Sequence, residues 1–267
     1  MKYIVVIPAR YRSKRLPGKP LAKIGSLPMI VRTYNQCSKI VSRDKIIVAT
    51  DSLKIKKICD EYKMKSLITS TKCLTGTDRV AEVAKKIKCS FYINVQGDEP
   101  FFNPNDLKIL IKQAKKKPKE IINGYTEIKD KKLFFSSSIP KLVFDKKGYL
   151  LYMSRGPIPS NKALEFKKAW RQVCAYSFPR KALFDFTKTR NKTPIESLED
   201  IEILRFIEQG YKVKMIKMSN KSLAVDNKED LEKAKIYLKY KKLLFLKFFN
   251  IFKIRGTVKR INNNLIM

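Results

Sequence analysis

The chain contains no histidine at all. That absence removes imidazole acid–base catalysis, Ser-His-Asp triads and histidine metal sites together. Cysteine is sparse. The five residues Cys37, Cys59, Cys73, Cys89 and Cys174 are odd in number and form no C-x-x-C pair. Neither a zinc site nor a disulfide framework is indicated, and scattered core thiols in a reducing compartment are expected. No uninterrupted apolar run of about 18–20 residues is present to span a bilayer. The short apolar N-terminus meets Arg10–Arg15 at once, which is not the pattern of a secretory signal. These absences predict a cytoplasmic protein. Acids are scarce too, with 24 Asp and Glu against 59 Lys and Arg, a net charge of +35. Such a balance admits nucleic acid, anionic membrane or anionic substrate as a partner. The surplus is spread along presumed helix faces, as at Lys54, Lys56 and Lys57. No RRM, KH or zinc-finger signature accompanies it, so nucleic acid is the least favoured partner.

What is present begins with Tyr3–Ile7, a β-branched apolar run suited to a strand buried on both faces. Arg10, Arg12, Lys14, Arg15 and Lys19 follow, in a loop that Pro8, Pro17, Gly18 and Pro20 keep irregular. Ala9, Ser13 and Gly18 alternate with the cations, as a loop closely approaching a ligand requires. A cationic loop at the carboxyl end of a strand is where open α/β sheets bind ligands, and its amides and cations suit a polyphosphate. It is not a P-loop, since G-x-x-x-x-G-K-[ST] is absent.

The 267 residues suit one large α/β domain or two small ones. Helix is predicted over 28–39, strand over 45–50, helix over 53–62 and strand over 65–68. This alternation argues for a doubly wound, mostly parallel sheet. Asp51, at a strand end, reads as the N-cap of the following helix. Thr77 or Asp78 can cap a helix over 80–86, whose N-terminus then offers amides to an anion beside Arg79. Strand 90–96 ends in Gly97-Asp98-Glu99-Pro100, where a carboxylate is well placed for Mg²⁺. The alternatives are that Asp98 caps the next turn and Glu99 is a surface acid. Further expectations are a helix over 103–117, a strand over 121–126, a hairpin of 139–144 with 149–153, a loop or short helix over 161–169, one helix over 193–209 and a strand over 212–217. Glu196, Glu199 and Glu202 recur every three residues on that last helix as an acidic stripe.

Six segments, in order, carry a resemblance. IPARYRSKRLPGKPL, TGTDRVAEV, NVQGDEP, LYMSRGPIP, PIESLE and VDNKEDL resemble motifs of the 3-deoxy-manno-octulosonate (Kdo) cytidylyltransferase family, over about 1–238. The resemblance implies a Rossmann-like nucleotidyltransferase with a hairpin-rich insertion, about 133–190, for sugar binding and dimerisation. It implies a reaction in which CTP and a 2-keto-3-deoxy sugar acid give the CMP-sugar and pyrophosphate. By the same resemblance Arg10, Arg15 and Lys19 act on the triphosphate, and Ala9, Ser13, Thr77, Arg79 and Gln96 complete the nucleotide site. Gln96, Arg155, Gln172, Tyr176, Glu196 and Glu199 would meet the sugar, with Arg155 facing its carboxylate. Asp98 and Asp226 would hold Mg²⁺, Asp226 having a helix N-cap as its other possible role. A homodimer is expected.

RQVCAYSF departs from the family's H-L-G-I-Y-G-Y, with Gln172 for His and Cys174 for Gly. A CMP-acylneuraminate-type or 8-amino-Kdo-type enzyme is therefore one alternative. A basic nucleic-acid- or membrane-binding protein with a degenerate nucleotide site is the other. Residues 1–240 are read as the cytidylyltransferase domain. The remainder, 241–267, carries seven Lys or Arg and no acid among Leu and Phe residues. It suits either an interfacial helix on a membrane surface or a helix docked on its own protein.

Overall fold

The computed structural model describes residues 2–13, 15–189 and 191–254. In chain order the elements are β1 (Tyr3–Ala9), β2 (Lys23–Ile24), β3 (Leu27–Pro28), α1 (Met29–Ser38), β4 (Ile46–Thr50), α2 (Leu53–Glu61) and β5 (Ser66–Ile68). Then come α3 (Gly76–Lys86), β6 (Phe91–Val95), α4 (Pro104–Lys116), β7 (Ile121–Ile128), α5 (Lys131–Phe135), β8 (Lys141–Phe144) and β9 (Leu150–Ser154). The last are β10 (Ala169–Pro179), α6 (Arg180–Phe186), α7 (Pro194–Glu199), α8 (Ile203–Glu208), β11 (Val213–Lys217) and α9 (Lys228–Ile254).

The main sheet runs β11-β7-β10-β6-β1-β4-β5. β6, β1, β4 and β5 pair in parallel, as do β11 and β7, while β10 is antiparallel to both β6 and β7. The β8–β9 hairpin joins the same sheet through β10. Strand alternation sends β1 side chains to opposite cores. Ile4 and Val6 meet Val80 and Ala84 of α3 and Leu183 of α6. Val5 and Ile7 meet Ile30 and Tyr34 of α1, Ile55 of α2 and Leu107 of α4. Covering both faces in this way is what a largely parallel sheet needs, and it leaves the strand ends free to carry function.

Two expectations change. The single helix over 193–209 is two, because Asp200 adopts a left-handed conformation (φ 51°) that ends α7 before α8 begins. The stretch expected as a loop or short helix is a loop up to Ala169, where the 11-residue β10 begins. The α3 N-cap is Thr75, whose side chain and that of Asp78 form a reciprocal capping box. Of the tail, 241–254 continues α9, and 255–267 lies outside the described residues.

Candidate active site

Gly97 brings β6 and β1 together at their carboxyl ends. A Cβ on it would lie 2.7 Å from the Pro8 carbonyl, and its own amide donates there. Only a glycine allows that approach. The next residue, Asp98, accepts at its main-chain oxygen from the Val225 amide at 2.9 Å, which brings Asp226 alongside. Leu16 and Ile24, from the loop after β1, pack with Phe101, Val225 and Ala234 in a separate small core. Loop, β6 turn and α9 entry are thereby locked together.

Lys19 is the centre of this arrangement. Its ammonium lies 2.5 Å from Asp98 Oδ2 and 3.1 Å from Asp226 Oδ1, while Arg15 Nη2 reaches Asp226 Oδ1 at 3.3 Å. Burial works against the charged lysine, but the two carboxylates outweigh it and hold its pKa above the ordinary value. Two carboxylates converging on one point charge form a hard oxygen-donor pair, and the ammonium marks where a cation is stabilised. Among the described residues no group of three or more His, Cys, Asp or Glu could hold a metal. Two carboxylates, with substrate phosphates completing the shell, is nevertheless a usual mode for Mg²⁺. Asp98 and Asp226 therefore fit that ion.

Behind the loop, Arg79 is a brace rather than an open fork. It is 2% exposed and reaches Asp51 Oδ2 at 2.7 Å, Thr69 Oγ1 at 2.8 Å and the Ser70 carbonyl at 3.1 Å. Asp51 in turn accepts from the Tyr11 amide at 3.2 Å. Asp51 is thus not the cap of α2, which Ser52 precedes, and Arg79 touches the cationic loop through it. The α3 N-terminus is occupied as well. Glu202 accepts from the Gly76 and Thr77 amides at 3.1 and 2.9 Å and from the Thr77 hydroxyl at 2.6 Å. Burial raises the Glu202 pKa and these bonds oppose the rise. Gln96 lies against Gly76, where a Cβ would come within 2.9 Å of its amide group. Ala9 is buried, Ser13 accepts from the Leu16 amide at 3.3 Å, and Arg10 is exposed. Lys14 lies outside the described residues.

The acidic stripe dissolves into three separate roles. Glu196 is fully buried and grips the equally buried Arg205 at 2.6 and 2.8 Å. Glu199 accepts from the Arg155 amide at 2.8 Å and the Tyr152 hydroxyl at 3.2 Å. Burial opposes its charge, but these bonds and one from Ser154 prevail and lower its pKa. Arg155 donates to the carbonyls of Glu199, Ser137 and Asp200 at 2.7, 3.0 and 3.0 Å, with its side chain 33% exposed. Lys192, then the charges of Arg155 and Arg10, lower the Asp200 pKa.

Gln172 is buried and donates to Asn123 Oδ1 at 3.0 Å, while Asn123 donates to the Val173 and Ala175 carbonyls at 3.0 Å each. The three contacts support the irregular register between Val173 and Tyr176. Tyr176 is buried beside Cys174, and burial raises the pKa of both. Glu99 is not a surface acid, being 4% exposed. Among the described residues its Oε2 has no hydrogen-bond partner, and burial, then Asp98, push its carboxyl up to about 8. The only sequence signal for this was its place in the D-E-P turn after a buried strand.

These cations and carboxylates gather at the carboxyl ends of β1 and β6, where open α/β sheets bind ligands. The solved structure of CMP:2-keto-3-deoxy-manno-octonic acid synthetase complexed with CTP superposes with a TM-score of 0.83 at 30% identity, covering 90% of this chain and 100% of its own. A cytidylyltransferase from Leptospira borgpetersenii shares the fold at TM-score 0.61, at 15% identity, covering 98% of this chain and 100% of its own. The protein has the nucleotidyltransferase fold. Residues 4–243 match the cytidylyltransferase family model, and the chain belongs to that family. The 3-deoxy-manno-octulosonate cytidylyltransferase of Chlamydia pneumoniae is 37% identical over 241 residues, 88% of this chain and 93% of the relative. That of Syntrophotalea carbinolica is 32% identical over 255 residues, 90% of this chain and 99% of the relative.

Proposed function

We propose that this enzyme transfers the cytidylyl group of CTP to a 2-keto-3-deoxy sugar acid, Kdo, releasing pyrophosphate. The observation that carries the reading is Lys19 between Asp98 and Asp226 at the joined ends of β1 and β6. The acceptor's anomeric hydroxyl attacks the α-phosphorus and loses its proton to solvent, while the bond from the α-phosphorus to the bridging oxygen breaks and that oxygen leaves with pyrophosphate. An ammonium has three protons. In this structure two of those on Lys19 are directed at the carboxylates; with magnesium held by Asp98 and Asp226 they would turn to the phosphate oxygens instead. Arg15 and the exposed Arg10 add charge where pyrophosphate develops it, so electrostatic positioning dominates the rate. Asp98 and Asp226 would hold magnesium, whose chemistry here is neutralisation of phosphate charge and a lower pKa for the attacking hydroxyl. Arg79 positions the loop through Asp51, and Arg155 supplies the cation for the sugar carboxylate.

A homodimer formed through the 133–190 region is part of the proposal. A cytoplasmic setting is supported by all five cysteines being free. The test is Asp98→Asn and Asp226→Asn. Each should lose at least about a hundredfold in turnover with its melting temperature nearly unchanged, since neither side chain supports a core. Near wild-type turnover at saturating magnesium in either variant would remove that residue from the site.

A further inference from the structure

We propose that Lys141 is a positioning residue for the acceptor site, fixing the main chain at Arg155 so that its guanidinium is presented to the sugar acid's carboxylate. The inference rests on the acceptor named above. Lys141 opens β8 and is 0% exposed, one of the largest fully buried side chains of the described structure. Its ammonium donates to the Ser136 carbonyl at 2.9 Å and to the Arg155 carbonyl. Among the described residues these two carbonyls are its hydrogen-bond acceptors, and no carboxylate forms an ion pair with it. Burial, then the neighbouring charge of Arg155, lower its pKa, with Glu199 opposing. An ammonium held in this way is costly, and an apolar side chain of similar volume would avoid the cost. What the apolar side chain could not do is join two carbonyls from separate segments.

One of those segments carries Arg155, and the other is among those that hold it. The turn at Ser136–Ser137 receives one guanidinium N–H through the Ser137 carbonyl, and the end of α7 receives two through Glu199 and Asp200. The Arg155 amide is held by Glu199. Lys141 closes the ring from beneath by tying the Arg155 carbonyl to Ser136. Three of the five guanidinium N–H groups are then committed, and the rest stay with the exposed part of the side chain. A fork fixed in this way meets a carboxylate without first losing rotamer freedom. Lys141 itself is sealed from any ligand, so it acts through Arg155.

The experiment uses the full-length protein with Lys141→Met, which keeps the length and removes the donor, and Lys141→Gln, which keeps a donor. Steady-state kinetics with CTP and Kdo are read beside amide hydrogen exchange. For Lys141→Met, KM for the sugar acid should rise about tenfold or more while KM for CTP stays within about twofold. Exchange should accelerate in the segments 136–139 and 154–157 but not in β1 or β6. Lys141→Gln should fall between wild type and Lys141→Met. Unchanged sugar KM and unchanged exchange would overturn the proposal. So would a parallel rise in both KM values, or failure of both variants to fold, since each would make Lys141 a general structural residue. If wild type turns over no sugar acid, the functional reading fails separately, and exchange alone decides whether Lys141 fixes Arg155.

Discussion

Replacing Glu196 by alanine separates a substrate-binding role, which its motif implies, from the structural role its surroundings show. Glu196 and Arg205 are both 0% exposed, joined by bonds of 2.6 and 2.8 Å. The guanidinium also lies 3.8 Å from the Phe186 ring centroid and donates to the Phe186 carbonyl at 3.2 Å. Among the described residues, deleting the glutamate leaves Asp78 Oδ1, at 3.5 Å, as the one carboxylate near that buried charge. Breaking a buried pair from one side costs about 3–5 kcal/mol, and Asp78 places the loss toward the lower figure. For a domain of this size the melting temperature should fall by roughly 6–20 °C. Glu196→Gln, which keeps the shape, should lose less. The assay is thermal unfolding together with sugar KM measured well below the variant's transition. KM should change by no more than about twofold, because the carboxylate faces Arg205 and not the site. A melting temperature within about 2 °C of wild type with sugar KM raised tenfold would refute the reasoning and restore Glu196 to the acceptor site.

Two further outcomes follow from the same geometry. Lys19→Ala should lower kcat more than it raises KM for CTP, because charge accumulates on pyrophosphate as the bond breaks; a change confined to KM for CTP would contradict this. Burial pushes the Cys37 and Cys59 thiols up to about 12. Both should resist alkylation at pH 8 until the protein unfolds, and stability should be lost as pH rises from about 9, where the unfolded thiols ionise, towards 12; rapid labelling of the native protein at pH 8 would show that these cores open.

The parts of this molecule that were legible in the sequence are those where local chemistry and tertiary role coincide. Tyr3–Ala9 is apolar because both of its faces are covered, and the cations that follow it occupy the strand end. Asp98 and Asp226 likewise combine turn chemistry with a shared cation. What was hidden depends on partners distant in the chain. Arg79 reads as an anion ligand at a helix start until Asp51, in a different βα turn, takes its guanidinium. The glutamate stripe has helical spacing, yet the turn at Asp200 sends Glu196 to Arg205, Glu199 to Arg155 and Glu202 to α3. β10 mixes Arg171 and Gln172 with apolar residues because it borders three strands and the site at once, so it shows neither clean alternation nor a continuous apolar run. Gln172 belongs to that same strand. Its bond to Asn123 makes the departure from the family's histidine a matter of how the strand is supported.

The most direct test is pyrophosphate release with magnesium, each of CTP, UTP, ATP and GTP being paired in turn with Kdo, 8-amino-Kdo and N-acetylneuraminate. The predicted result is rapid turnover with CTP and Kdo, yielding CMP-Kdo and pyrophosphate in equal amounts. Preference for another acid with CTP would overturn the acceptor assignment, and absence of pyrophosphate release from CTP with every acid would contradict the account as a whole.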